Sequence, residues 1–349
     1  MQGELLEPTR GDAAGMSRTQ VLILSAPEDP IADVFRGAIE TEVDPGLRER
    51  VDLHFSTVEN AESLLPVAEV ITCGTLPPTM LERAAQLRWL AFWSAGLDGK
   101  ISEQMLQRQL LLTNASGVHG PNIAEHVLAM MLMFTRRMEI HLRSQIQGSW
   151  QRRMPFELSP AAELTGQTLC IVGYGRIGEA LAVRAKAFGM RVIAIKRTVP
   201  DSNAANNSQL DTVRDLSALP DFLQQADHVC IALPYMRETH HLFNTEMLKH
   251  MKPSAYLYNI ARGAIVDEAA LVVHLSTGKL AGAGLDVFET EPLPKTSALW
   301  DLPNVILTPH VAGLTPHYFP RFASLFAANL HRYLDGAPLH NLYHPDRGY

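Results

Sequence analysis

The sequence predicts an α/β protein built from two doubly wound domains with parallel sheets. Three observations point there. A chain of 349 residues exceeds what one hydrophobic core usually organises. Short apolar runs alternate with helical stretches in two successive series. In the second series the pattern Gly173-Tyr174-Gly175-Arg176-Ile177-Gly178 falls between a strand and a helix, where such glycines have a mechanical use. With 46% hydrophobic and 19% charged residues the chain has the apolar material for such cores, and it lacks the polar excess of a disordered chain.

Taken in order, residues 1–17 have the mixed small and charged composition of a loose tail, outside the fold. A strand at 21–24 begins the first series, and strand candidates follow at 51–55, 70–72 and 89–93. This unit ends around 111–116. Gly120-Pro121 then opens a helix running to about residue 147, since proline is tolerated in a first turn. Ile123, Val127, Leu128, Met130, Met131, Leu132, Met133 and Phe134 cover more of that helix than one sheet contact requires. A second subunit, or a position between two domains of one chain, would cover the surplus. The second series places strands at 168–172, 191–195, 229–233, 255–260, 280–287 and 305–307, and the polar, Asn-rich run 203–209 reads as an exposed loop.

Charge and composition exclude several function classes. A net charge of −7 gives no field that would draw in nucleic acid or an anionic membrane surface, so a small-molecule partner is expected. The longest apolar run, 127–134, is far too short to span a bilayer, and Glu4, Glu7 and Asp12 stand where a secretory signal would be apolar. A cytoplasmic protein is the expectation. Cys73, Cys170 and Cys230 are scattered, and neither a disulfide framework nor a metal-ligand spacing is present.

The glycine loop predicts a dinucleotide site. Gly173 permits a tight turn, Gly175 lets the backbone approach a pyrophosphate, and Gly178 allows close packing of helix on strand. Arg176 and Ile177 lie within the loop, before a helical run at 179–188 whose N-terminus offers N–H groups and a positive dipole end to the anion. Where an acidic residue normally holds the adenosine ribose of NAD, Lys196 stands 18 residues past Gly178, followed by Arg197 and Thr198. Two cations and a hydroxyl suit a 2′-phosphate, so NADP is preferred over NAD.

Further along, ordered stretches accumulate: Ser94-Ala95-Gly96-Leu97-Asp98, Asn122-Ile123-Ala124-Glu125-His126, Leu233-Pro234, Asn259-Ile260-Ala261-Arg262-Gly263, residues 284–292 (GLDVFETEP) and residues 308–313 (TPHVAG). With them the chain resembles the D-isomer-specific 2-hydroxyacid dehydrogenase family, which includes glyoxylate and hydroxypyruvate reductases. The resemblance runs from about residue 21 to the end and is densest over 164–313. It implies that Arg262, Glu291 and His310 form a catalytic set. The chemistry asks for these residue types. Arg262 can clamp the keto acid with its planar fork, His310 can exchange a proton near neutral pH, and Glu291 can orient His310 and favour its charged form.

By the same resemblance Asp286 contacts the nicotinamide carboxamide, main chain at Leu233, Pro234 and Ile260 lines the cofactor, and Ala95, Gly96 and Leu97 receive the substrate carboxylate. The presence of Glu291 disfavours formate oxidation, and the lack of an arginine in residues 71–75 disfavours a phosphorylated substrate. Trp93, Leu76, Trp300 and Tyr318 are candidate pocket walls. The implied architecture is two Rossmann-like domains: a discontinuous substrate-binding domain, 18–116 with 315–349, and an inserted NAD(P)-binding domain, 117–314. Hinges at Ser116-Gly117 and at residues 313–316 would let the two close on their ligands. A homodimer is also implied. An alternative on the same fold is an NAD(H)-sensing corepressor-like binding module.

Overall fold

The computed structural model describes residues 18–150, 161–198 and 209–345. The 1–17 tail and most of the Asn-rich run lie outside the described residues. The chain divides into two compact units, Met1–Val118 with Pro316–Tyr349, and His119–Thr315. Twelve strands are described: β1 (Thr19–Ile23), β2 (Val51–Phe55), β3 (Val70–Cys73), β4 (Trp89–Phe92), β5 (Leu111–Thr113), β6 (Thr168–Val172), β7 (Arg191–Ile195), β8 (Thr212–Arg214), β9 (His228–Ile231), β10 (Tyr256–Asn259), β11 (Gly282–Leu285) and β12 (Val305–Leu307). The described helices of eight residues or more are α1 (Pro30–Glu42), α2 (Gly120–Thr135), α3 (Met138–Ile146), α4 (Arg176–Ala187), α5 (Glu268–Ser276) and α6 (Tyr318–Leu334).

In the first unit five parallel strands run in the order β2-β1-β3-β4-β5. Asp29 caps α1 by accepting the Ile31 N–H, and Pro30 starts it with a preset φ. The C-terminal helix α6 belongs to this unit because its apolar face meets α1 and the sheet. Phe35 packs edge-on against Phe322 and Phe326, and Trp89 stacks on Phe326 at 5.2 Å.

The second unit carries seven parallel strands in the order β12-β11-β10-β9-β6-β7-β8. Strand order reverses between β6 and β9, and in open α/β sheets ligands bind beyond the carboxyl ends of the strands at such a point. Strand β8, at one edge, was not expected from the sequence; its three residues are too few to show a period. His228 on β9 is 1% exposed and stacks on Tyr256 and Tyr258. Its Nε2–H donates to Gln167 Oε1, so Nδ1 accepts from the Tyr258 hydroxyl at 3.0 Å. Desolvation lowers its pKa to about 4.

The helix expected from Gly120 to about residue 147 is two helices. Arg137 takes a left-handed conformation, φ +55°, which ends α2 and redirects the chain into α3. The apolar surplus of α2 is buried within its own unit: Val127, Met130, Met131 and Phe134 are 2% exposed or less, Phe134 stacks on Tyr256 at 4.8 Å, and α2 packs on α4. The uncovered apolar side chains lie instead on α3 and just after it, at Met138, Leu142, Ile146 and Trp150. All three cysteines are buried free thiols, and desolvation raises each of them, Cys73 and Cys230 to about 12. Among the described residues no helix is long and apolar enough to cross a membrane.

Candidate active site

The glycine loop sits at the point of strand reversal, and each glycine has its own steric reason. Gly173 has φ +107°, and a Cβ there would lie 2.6 Å from the Ala232 carbonyl group, against the end of β9. A Cβ on Gly178 would lie 2.9 Å from the Gly173 carbonyl oxygen and 3.1 Å from Ile171. Gly175, at the N-cap of α4, has nothing within 4 Å of the place a Cβ would take. That open backbone, at the N-terminus of a twelve-residue helix, fits the approach of a pyrophosphate. Arg176 and Ile177 follow in the first turn, where Arg176 pairs with Glu179 at 3.5 Å.

The loop is tied to the neighbouring strand, since the N–H groups of Gly173 and Tyr174 both donate to the Ile195 carbonyl. Lys196 therefore emerges beside it, with Nζ 5.9 Å from the Tyr174 ring centroid. Arg197 and Thr198 follow and are exposed. Leu233 and Pro234 leave β9 on the other side of the reversal; Leu233 is half-buried, and the Pro234 carbonyl accepts from the Thr239 hydroxyl.

Arg262 lies just past β10, after the buried Ile260. Asn259, 1% exposed, shapes its turn: its side chain donates to the Arg262 carbonyl at 2.9 Å and accepts from the Ala261 N–H at 3.1 Å. The Arg262 guanidinium donates to the Ala261 carbonyl at 2.8 Å. Gly263 then runs against residues 288 and 289 so closely that a Cβ would fall 1.8 Å from the Phe288 carbonyl carbon. The turn carrying Arg262 is thereby seated on the loop carrying Glu291.

Glu291 accepts the Phe288 N–H through Oε1 at 3.0 Å and the His310 Nδ1–H through Oε2 at 2.7 Å. With Nδ1 so engaged, Nε2 is the ring atom of His310 that could exchange a proton with a ligand, on a side chain that is 49% exposed. His310 itself has φ +56°, an unusual conformation for a residue bearing a Cβ. Asp286 holds this turn. Its main-chain carbonyl accepts the His310 N–H, and its buried carboxylate accepts the N–H groups of Val311 and Ala312 and the Thr308 hydroxyl. Helix α2 supports the same segment. The Asn122 side chain donates to the Ala312 carbonyl at 2.8 Å, His119 to the Gly313 carbonyl at 3.1 Å, and His126 Nε2 approaches the Thr308 oxygen at 3.0 Å.

One unit thus gathers the glycine loop, Arg262 and the Glu291–His310 pair at the carboxyl ends of its strands. Sequence reasoning gave no role to Asn259, Gly263, Thr308, Asn122 or His126. Asn122 and His126 stand four residues apart on one face of a helix, a spacing that was available as a signal. Asp286 was expected to meet the nicotinamide; the structure adds the partners that fix the histidine turn.

Ala95, Gly96 and Leu97 follow β4 in the first unit, with Leu97 buried. Beside them the Lys100 ammonium donates to Ser94 Oγ and to the Gly74 carbonyl, each at 2.8 Å, and burial lowers its pKa. Nothing in the sequence pattern singled out Lys100. Of the candidate walls, Leu76 is buried, Trp93 donates to Thr72 Oγ1 at 2.9 Å, Tyr318 stacks on Phe322, and Trp300 is 54% exposed. Among the described residues no three His, Cys, Asp or Glu side chains gather as a metal-binding group.

Comparison with known proteins adds an independent line. A family model described as "D-isomer specific 2-hydroxyacid dehydrogenase, NAD binding domain" matches residues 128–312, more than half of the chain. The chain is 37% identical over 255 residues to a glyoxylate reductase of Pyrococcus furiosus, covering 72% of this chain and 74% of that one. It is 34% identical over 333 residues to glyoxylate/hydroxypyruvate reductase B of Klebsiella pneumoniae, covering 95% of this chain and 99% of that one. A D-isomer specific 2-hydroxyacid dehydrogenase from Xanthobacter autotrophicus, solved in complex with NADPH and MES, is similar with a TM-score of 0.76 at 28% identity, covering 95% of this chain and all of that one. The chain belongs to the D-isomer specific 2-hydroxyacid dehydrogenase family.

Proposed function

We propose that the protein reduces a short, unphosphorylated 2-keto acid, of the glyoxylate or hydroxypyruvate type, with NADPH. Family membership makes the chain an NAD(P)-dependent oxidoreductase of 2-hydroxy acids; the keto acid, the cofactor preference and the residue roles are the proposal. The observation that carries it is the 2.7 Å hydrogen bond from His310 Nδ1 to Glu291 in the unit that holds the glycine loop.

Arg262 neutralises and orients the keto acid through its carboxylate, with the guanidinium fork fixing the angle of approach. The nicotinamide, when bound, supplies the hydride to the carbonyl carbon. As the C=O electron pair moves onto oxygen, His310 Nε2 gives that oxygen a proton, and in the oxidative direction it takes the proton back. Glu291 fixes the tautomer and accompanies the charge on the imidazolium. Gly173, Gly175, Arg176, Ile177 and Gly178 would hold the pyrophosphate, Leu233, Pro234, Ile260 and Asp286 the nicotinamide half, and Ala95, Gly96 and Leu97 the substrate carboxylate.

NADPH is preferred in this reading because two cations and a hydroxyl follow β7 where NAD selection would place an acid. A cytoplasmic homodimer is part of the same proposal. The exposed side chains Met138, Leu142 and Ile146, four residues apart on α3, with Trp150 beyond them, supply an apolar stripe for a second copy. The corepressor reading is not favoured, since the relatives compared above are named as reductases. Steady-state assays of glyoxylate, hydroxypyruvate, pyruvate and phenylpyruvate with NADPH and with NADH test the proposal. Turnover of the first two with NADPH is expected, and no turnover of any of the four would overturn it.

A further inference from the structure

The loop that carries Glu291 is gripped from its far side by a pair of carboxylates outside the catalytic set. Glu268, the first residue of α5, accepts the Glu289 N–H on its side chain, and Glu289 in return accepts the Glu268 N–H at 3.2 Å. The exchange joins two segments 21 residues apart by charge-assisted bonds in both directions. Glu289 Oε1 also meets His241 Nε2 at 2.9 Å, and the His241 N–H donates to the Ala264 carbonyl, within the turn that follows Arg262. His241 takes a left-handed conformation, φ +48°, to reach both partners.

Between this brace and the catalytic pair stands Phe288, whose carbonyl group abuts Gly263 and whose N–H donates to Glu291 Oε1. Glu268 is half-buried and its carboxyl is raised by desolvation, so the side chain is an integrated part of the loop rather than a solvated surface acid. Residues 288–291 are therefore fixed at three points: by α5 through Glu268, by the Arg262 turn through Gly263 and His241, and by the Glu291 carboxylate itself.

We propose that Glu268 is a positioning residue of the reaction, acting with Glu289 and His241 to set where Glu291 presents its carboxylate to His310 and how Arg262 stands beside it. This rests on the reading of Glu291 and His310 as the proton-transferring pair. Loss of the brace lets residues 288–291 relax, which lowers the fraction of enzyme with His310 correctly oriented and leaves the glycine loop as it was.

The test compares Glu268→Ala, Glu268→Gln and Glu291→Gln with the parent enzyme. For Glu268→Ala, kcat is expected to fall by about tenfold, as misplacement of a catalytic group by a fraction of an ångström does, with KM for NADPH within about twofold. Glu268→Gln keeps the accepting oxygen and is expected to restore kcat to within about twofold of the parent. Parental kcat in Glu268→Ala, or Gln as damaging as Ala, would overturn the proposal. Should Glu268→Ala lack a cooperative unfolding transition, His241→Ala removes the donor to Glu289 Oε1 from the other side, and there an unchanged kcat overturns it. Glu291→Gln separates the two layers: if it keeps full activity the catalytic pair itself is misread, and if it loses activity while Glu268→Ala does not, only the brace is.

Discussion

Gly263→Ala tests how the Arg262 turn and the Glu291 loop depend on each other. The added Cβ would lie 1.8 Å from the Phe288 carbonyl carbon, 2.1 Å from its oxygen and 2.3 Å from the Glu289 nitrogen. All three are main-chain atoms, so no side-chain rotation relieves the contact. Ordinary van der Waals contact begins near 3.4 Å, so the segments must part by about 1.6 Å. Phe288 holds Glu291 Oε1 at 3.0 Å, and Glu291 holds His310 at 2.7 Å, so that displacement passes directly to His310, the proposed proton donor. A misplacement of about 1 Å costs about a hundredfold in rate, and overpacking at a buried site costs about 1–3 kcal/mol of stability. The assay is kcat/KM for the keto acid beside thermal unfolding of the same preparation. Gly263→Ala with parental kcat/KM would refute the steric coupling of the two loops.

Two further perturbations address the cofactor and the core. Lys196→Asp combined with Arg197→Ala is expected to move the NADPH/NADH preference toward NADH by about tenfold or more, as loss of charge-assisted bonds to a phosphate does; equal preference before and after would remove both residues from that role. His228 gives a pH-dependent stability. Its folded pKa lies at about 4 against an ordinary 6.5, so between those values only the unfolded chain takes up the proton. Its contribution is thus complete above pH 6.5 and is lost as pH falls toward 4, to a total of about 3 kcal/mol. Urea denaturation across that window should show a shallower slope for His228→Phe than for the parent, and identical slopes would contradict the buried neutral histidine.

Much of this architecture was legible because parallel strands buried on both faces leave apolar runs that helical stretches separate. The expected strands at 51–55, 168–172, 191–195 and 305–307 coincide with β2, β6, β7 and β12. The long helix was misread because nothing marks Arg137 as the residue that turns left-handed; a glycine there would have given the break away. Its apolar surplus was also misassigned, since burial on two sides by α4 and the sheet leaves the same pattern as a subunit contact.

At the site, the residues proposed to do the chemistry were visible and those that hold them were not. Arg262, Glu291 and His310 were picked out through the ordered motifs that carry the family resemblance, and Arg262 and His310 also by their places just past strands. Asn259, Thr308 and Glu268 act through hydrogen bonds to main chain, and those partners exist only once the chain is folded. Gly263 is required by the approach of residue 288, 25 positions away, and no local pattern encodes that contact.

Replacing His310 with Asn probes the reaction most directly. Asparagine tolerates the left-handed backbone at φ +56° and its amide can still donate to Glu291, so the turn persists while the proton at Nε2 is gone. Mixing NADPH with glyoxylate or hydroxypyruvate and following oxidation of the reduced nicotinamide should show turnover in the parent. In His310→Asn it should fall by about a hundredfold or more, with NADPH affinity unchanged. A variant that oxidises NADPH at the parental rate would contradict proton transfer by His310.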